Sequence, residues 1–239
     1  VDCEARGVPV RMMSDLYERL TRRVPVEHIS KQWLLLAMNG FAGPQSAYRF
    51  AKRALDLLLS AVGLLAFGLV LPVVALTIKL DDSGPVFYRQ SRAGLAGAPF
   101  QVIKFRTMRI DAERDGARWA VHNDSRVTRL GRLLRRTRLD ELPQVLNVLH
   151  GEMSIVGPRP ERPEFIRDLE GQIPFYRARL VVKPGLTGWA QIHYGYGNSV
   201  EDALVKLQYD LYYIRHQSLW TDLYTIVRTI GVMLRMKGM

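Results

Sequence analysis

Residues 57–78 read "LLLSAVGLLAFGLVLPVVALTI", and no charged side chain occurs anywhere in the run. At about 1.5 Å of rise per residue, a helix of this length reaches roughly 33 Å, enough for a hydrocarbon core of roughly 30 Å. A buried core helix is the alternative reading, but soluble helices of this length normally keep a polar face. Pro72 lies inside the run, where it removes a backbone hydrogen bond and favours a kink. Arg49, Lys52 and Arg53 flank one end; Lys79, Arg89 and Arg92 follow the other. Positive flanks mark the cytoplasmic side, so the sequence favours a membrane segment, 55–79, that enters, bends at Pro72 and leaves by the same face. Freed carbonyls at such a bend need protein or polar cover.

The rest of the chain is too long and too polar to be an anchor alone. It has 239 residues, with 34 Lys plus Arg against 23 Asp plus Glu, a net charge of +11 and a pI near 10.0. That balance points to anionic partners: nucleic acid, anionic lipid or phosphorylated substrates. The single cysteine, Cys3, excludes an internal disulfide and a cysteine metal cluster. Residues 1–47 carry a short strand signal ("GVPVRMM"), a helical one around Asp15–Arg23 and a Gly/Pro-rich loop ("NGFAGPQ"). They read as the tail of an upstream domain plus a linker, ahead of a second unit at 48–239.

Within that unit, residues 86–107 predict a hairpin, "VFYRQSR" and "PFQVIKFRTM" around "AGLAGA". Alternation sets Lys104 and Arg106 on one strand face, where paired cations can meet phosphate or simply face solvent. In "NDSRVTRLGRLLRRTRL", Arg126, Arg129, Arg132 and Arg135 recur every three residues, predicting a basic amphipathic helix opened by an Asn/Asp/Ser cap. A second amphipathic helix is expected over 219–236. Leu219, Leu223, Ile226, Val227, Ile230, Met233 and Leu234 form its stripe, with Trp220 and Tyr224 near the start and Arg228, Arg235 and Lys237 off the stripe. The expected fold class is α+β: a membrane helix, a small sheet and interfacial helices.

The chemistry concentrates in "RRTRLDELPQVLNVLHGEMSIVGPRP", 135–160. Leu142, Val145, Leu146 and Leu149 mark a helix buried on one side, Gly151 a C-terminal stop, and Pro143 a first turn. Asp140 then falls at or beside the N-cap. One reading is structural, a cap with Glu141 favouring the helix dipole. The other is chemical. Arg135, Arg136 and Arg138 would hold the Asp140 carboxylate ionised, as a standing nucleophile or metal ligand, and neutralise phosphates that otherwise repel it. Arg159, between Pro158 and Pro160, is suited to rigid presentation of one guanidinium. Magnesium suits such a site, because it takes one or two carboxylates plus substrate phosphate oxygens. There is no Walker-type loop, Asp-x-Asp or H-E-x-x-H, and "GYGNS" is no dinucleotide fingerprint.

The segment with Pro72, "KFRTM" (104–108), "LDELPQ" (139–144), "GEMSIVGPRP" (151–160) and "KPGLTGWAQI" (183–192) together resemble the bacterial polyprenyl-phosphate sugar-1-phosphate transferases, the monotopic phosphoglycosyl transferases. The resemblance runs over roughly residues 48–239. It implies transfer of a sugar-1-phosphate from a UDP-sugar to polyprenyl (undecaprenyl) phosphate, with Asp140 as nucleophile forming a covalent phosphosugar-enzyme. Glu141 would be its partner, both acids holding Mg2+. Arg135, Arg159, Lys104, Arg106 and Pro158 would line the phosphate and nucleotide site. It also implies a place in the bacterial inner membrane with the catalytic core on the cytoplasmic face, contact with membrane lipid, and a role in starting exopolysaccharide, capsule or glycan assembly. Homo-oligomerisation is left open. One departure stands out: after "GWAQ" the family's Asn-Gly-Arg-like turn is replaced by "IHYGYGNSVEDA", leaving His193, Tyr194, Tyr196 or Asn198 to serve for its Arg. Two rivals remain. A basic nucleic-acid binder would have to hide the uncharged run, so nucleic acid is not expected as a partner. A catalytically inactive scaffold for polysaccharide assembly leaves the acidic pair without a purpose.

Overall fold

The structure is a computed structural model describing residues 12–30, 32, 46–112, 124–195, 197 and 199–234. Cys3, the 39–45 loop, Tyr196, Asn198, Arg235, Lys237 and most of the "GVPVRMM" stretch lie outside the described residues. Two helices come first: α1 (Met13–Thr21) and the long α2 (Ser46–Asp81). Strands β1 (Phe87–Ala93) and β2 (Pro99–Phe105) form the expected antiparallel hairpin, Lys104 opposite Tyr88. Helix α3 (Arg129–Thr137) leads through a 3-10 turn (Leu139–Gln144) into α4 (Val145–His150). After it come β3 (Ser154–Val156), α5 (Pro163–Glu170), β4 (Gly185–Thr187), α6 (Trp189–His193), α7 (Val200–Arg215) and α8 (Leu219–Leu234). β3 and β4 pair in parallel. Mixed helices with two small sheets agree with the α+β expectation at that level.

α2 contains the whole uncharged run, with a mean hydropathy of 2.6 over its most apolar window, of which only 17% is buried. It is the one described helix long and apolar enough to cross a membrane. Pro72 lies within it, and the helix continues on both sides. Asp56, Ser60, Phe67, Val74 and Ile78 are its buried positions, and their spacing of four or seven draws a single seam along the helix. Opposite, Leu58, Leu65, Leu69, Val73 and Leu80 are exposed. One face therefore packs on protein for the full length and the other is open and apolar. Gly63 sits in the seam where an added Cβ would lie 2.8 Å from Val145 Cγ1, so its lack of a side chain sets how closely α4 approaches.

Two clusters hold the body together. The Phe67, Phe87 and Phe105 rings, at 5.5 to 6.2 Å between centroids, fasten the hairpin to α2; such aromatic pairs add about 0.5–1.5 kcal/mol each beyond area burial. The larger cluster joins Val102, Val148, Met153, Val156, Trp189, Leu207 and Tyr213, and it also takes in Val24 and Val26 from the segment after α1.

Two local expectations change, and the facing of α8 is settled. The cap of α3 is Thr128, whose Oγ1 accepts from Gly131 N at 2.9 Å, so Arg126 precedes the helix and instead pairs with Asp124 at 2.6 Å. Asp140 is not an N-cap. The residue before its turn is Arg138 in left-handed backbone (φ 61), and no side chain caps the turn. Gly151 does end α4, at φ 81. On α8 the side turned to the protein is polar, with Asp222 and Thr225 fully buried, while Leu219, Trp220, Leu223, Val227 and Ile230 face outward.

Candidate active site

Glu141, rather than Asp140, is the acid wrapped in positive charge. Lys104 on β2 places Nζ 3.0 Å from Glu141 Oε1, and Arg159 places Nη2 2.6 Å from the same oxygen. Arg138 Nη1 stands 3.9 Å from Oε2. Burial pushes the Glu141 carboxyl up, but Arg159, Lys104 and Arg138 outweigh it and hold it well below the usual range. The ionised form is the one this setting favours.

Asp140 is in the opposite state. It is buried beside Glu141, and its Oδ1 has no hydrogen-bond partner among the described residues. Burial first, and then the Glu141 charge, raise its carboxyl to about 6; Lys104, Arg135 and Arg138 oppose this without prevailing. The sequence expectation of a depressed Asp140 is thereby corrected. Adjacent acids with separated proton affinities are a recurring catalytic arrangement. An ionised, under-solvated carboxylate is also a stronger nucleophile than one saturated by hydrogen bonds.

The elements explain the placement. Asn147, buried in α4, donates to Gln101 O at 2.8 Å and accepts from Ile103 N at 3.2 Å, which fixes β2 against the turn that carries the pair. The 158–161 loop has every carbonyl engaged. Pro158 O accepts from Gly185 N at 2.8 Å, Arg159 O from Arg179 Nη2 at 3.1 Å, Pro160 O from Arg92 Nη1 at 3.0 Å and Glu161 O from Ala93 N at 2.9 Å. Arg179 is itself buried and pairs with Asp210 at 2.7 Å. Gly157 and Gly185 allow this crossing, since a Cβ on either would lie within 2.5 Å of the other segment's backbone. The result is a stiff loop aiming one guanidinium at Glu141.

The structure thus gathers Lys104, Arg159, Asp140 and Glu141, with Pro158 in the supporting loop. Arg135 donates from Nε to Thr107 Oγ1 at 2.9 Å and contributes its field to Asp140. Arg106 is directed elsewhere: Nη2 donates to Asp82 O at 2.5 Å, at the C-terminal end of α2. In the departing turn, the His193 ring packs tilted against Trp189, 4.3 Å between centroids, and Tyr194 Oη donates to Asp202 at 2.6 Å. Sequence reasoning passed over Asn147 and Arg179. An amide inside the apolar "QVLNVL" run was the available signal for the first; nothing local marked the second.

Among the described residues no three metal-ligating side chains cluster. A divalent ion completed by substrate phosphate needs fewer protein ligands, and the unpartnered Asp140 Oδ1 beside Glu141 fits that donor set.

The profile of the bacterial sugar transferases matches residues 47–236. The chain belongs to that family. It is 39% identical over 97% of its length to the UDP-N-acetylgalactosamine-undecaprenyl-phosphate N-acetylgalactosaminephosphotransferase of Aeromonas hydrophila, of which it covers 54%. It is 42% identical over 88% of its length to the UDP-glucose:undecaprenyl-phosphate glucose-1-phosphate transferase of Caulobacter vibrioides, covering 79% of that protein. A transferase of the same name from Escherichia coli K12 is 44% identical over 76% of this chain, with 40% of its own length covered. The chain spans about half the length of several of the bacterial sugar transferases it matches.

Proposed function

We propose that this bacterial sugar transferase chain moves a sugar-1-phosphate from a UDP-sugar to undecaprenyl phosphate through a covalent intermediate on Asp140. The observation that carries the reading is the asymmetry of the acidic pair: one carboxylate saturated by cations, the other buried with an oxygen unclaimed. An Asp140 oxygen attacks the β-phosphorus, forming one P–O bond as the P–O bond to UMP breaks, and UMP leaves with the electron pair. An oxygen of the lipid phosphate then attacks the same phosphorus, the Asp140–phosphorus bond breaks, and polyprenyl-diphosphate sugar departs. Lys104 and Arg159 sit where they can share their charge between Glu141 and incoming phosphate oxygens. Asp140 and Glu141 would hold Mg2+, which supplies charge neutralisation on the diphosphate when bound. The relatives' names include both UDP-glucose and UDP-N-acetylgalactosamine, so the sugar is assigned no further.

The same reading sets α2 in the bacterial inner membrane with both ends on the cytoplasmic side. Its support is that both ends engage one body. Lys52 pairs with Asp222 at 2.9 Å and Arg53 donates to the Val148 and Leu149 carbonyls, while the far end is gripped by Arg106. The product would start exopolysaccharide, capsule or glycan assembly. Incubation with undecaprenyl phosphate and a panel of UDP-sugars, reading UMP release, tests the assignment. Release dependent on one donor supports it; no release with any donor refutes it.

A further inference from the structure

Far along the chain from the acidic pair, two helices end their apolar faces at the same aromatic bridge. Helix α1 exposes Met13, Leu16 and Leu20 and then turns at Arg22, in left-handed backbone, into Arg23. Helix α8 exposes Leu223, Val227 and Ile230 around Arg228. The Arg23 guanidinium lies 4.5 Å from the Tyr209 ring centroid, and that of Arg228 lies 5.8 Å from Tyr224. Between those two rings stands His193, 5.6 Å from Tyr209 and 6.4 Å from Tyr224.

None of Arg22, Arg23 and Arg228 forms an ion pair among the described residues. The nearby acid Glu18 is taken up by Arg215 and by His216, the latter at 3.2 Å. Two donors at this bridge, Arg23 Nε and Trp189 Nε1, are buried with no acceptor among the described residues. Burial, and then the fields of Arg22, Arg228 and Arg23, keep His193 below its usual range despite its contact with Trp189 O, so the ring favours its neutral form and the positive charge of the cluster is that of the arginines.

We infer that this cluster binds the phosphodiester headgroup of an anionic phospholipid. The chemistry has two parts that coincide in space. Unpaired guanidiniums and free N–H donors match a phosphate, and the flanking exposed stripes match acyl chains, as expected for a helix lying at a membrane interface. A soluble phosphate meets only the first requirement. The two helices are anchored to the same body: Tyr48 Oη of α2 donates to Asp222 at the start of α8, and Glu18 docks α1 at the α7–α8 corner. A bound headgroup would therefore fasten α1 and α8 together at the bilayer surface.

The test uses the full chain in an uncharged detergent, following thermal unfolding with added short-chain phosphatidylglycerol, phosphatidylcholine of equal chain length, or inorganic phosphate. Phosphatidylglycerol is expected to raise Tm by about 3 °C or more, because a ligand that binds only the folded state stabilises it. The rise should vanish in the Arg23→Gln/Arg228→Gln double variant. Arg22→Gln, an exposed substitution that leaves the core untouched, should reduce it even if the double variant folds poorly. An equal rise with phosphatidylcholine would reduce the effect to acyl-chain contact and overturn the proposal. So would a full rise with inorganic phosphate, or an undiminished phosphatidylglycerol response in Arg22→Gln.

Discussion

Arg159 Nη2 lies 2.6 Å from Glu141 Oε1, although eighteen residues separate them and Arg159 stands on a loop with every neighbouring carbonyl tied down. The guanidinium is therefore delivered to the acidic pair without ordering cost at the moment substrate arrives. It holds Glu141 in its ionised form, and in the proposed reaction it would share its charge with an incoming phosphate.

Arg159→Ala is expected to cost about 2–4 kcal/mol of transition-state stabilisation, since a charge-assisted contact in a partly dry site is lost. Arg159→Lys should recover little of it, because a point charge replaces a planar fork. Comparison of kcat/KM for the three proteins checks this. Full activity in the Lys variant would reduce Arg159 to a general positive charge.

The raised Asp140 carboxyl predicts a pH profile. Attack requires the ionised form, so the rate of the first step should fall as pH drops through about 6. Stability should run the other way. A carboxyl whose folded-state value exceeds its ordinary 3.8 contributes stability at low pH and loses it as pH rises through about 6. Asp140→Asn, neutral throughout, should therefore be more stable than the parent by about 2–3 kcal/mol at pH 8. The gain should shrink toward zero near pH 4. Denaturant unfolding at the two pH values measures it, and a less stable Asn variant at pH 8 would contradict the assignment.

Asp222 is fully buried and accepts from Tyr213 Oη at 2.7 Å, Tyr48 Oη at 3.0 Å and Lys52 Nζ at 2.9 Å. Asp222→Ala removes the carboxylate that these three donors share and leaves the Lys52 ammonium without its counter-charge, and the loss should be about 3–5 kcal/mol. Because the partners lie on α2 and α7, unfolding in detergent should shift to lower temperature together with protease sensitivity near residue 50. Asp222→Asn, which retains an acceptor for the hydroxyls, should fall between the two.

The topology of α2 has its own test. Single cysteines at positions 50 and 82, in a Cys3→Ser background, should both react with a cytoplasmic-side reagent. Reaction from opposite sides would mean that the helix spans. Pro72→Leu should favour spanning, because the missing backbone hydrogen bond returns.

Much of this architecture was legible in the sequence. The uncharged run announced α2, alternation gave the hairpin, and Gly151 marked the end of α4, because each is a local property of consecutive residues. The division of roles within the acidic pair was not. Arg135, Arg136 and Arg138 stand beside both acids in sequence and pointed to a charge-stabilised Asp140. The cations that decide the matter, Lys104 and Arg159, come from a hairpin and a proline-fixed loop and form their ion pairs with Glu141. The facing of α8 was hidden for the same reason. Asp222, Thr225 and Thr229 formed a visible polar stripe, but only its partners on other elements, Lys52, Tyr213 and Thr187, show that the polar side is the inner one.

Asp140 as the nucleophile is the step on which the proposed reaction depends. Mixing the protein with its UDP-sugar in the absence of undecaprenyl phosphate and quantifying UMP at early times tests this directly. The predicted result is a burst approaching one equivalent of active protein, with a phosphosugar recovered on the peptide containing Asp140 and no burst in Asp140→Asn. UMP release that requires the lipid acceptor, or a burst that survives in Asp140→Asn, would contradict the covalent mechanism.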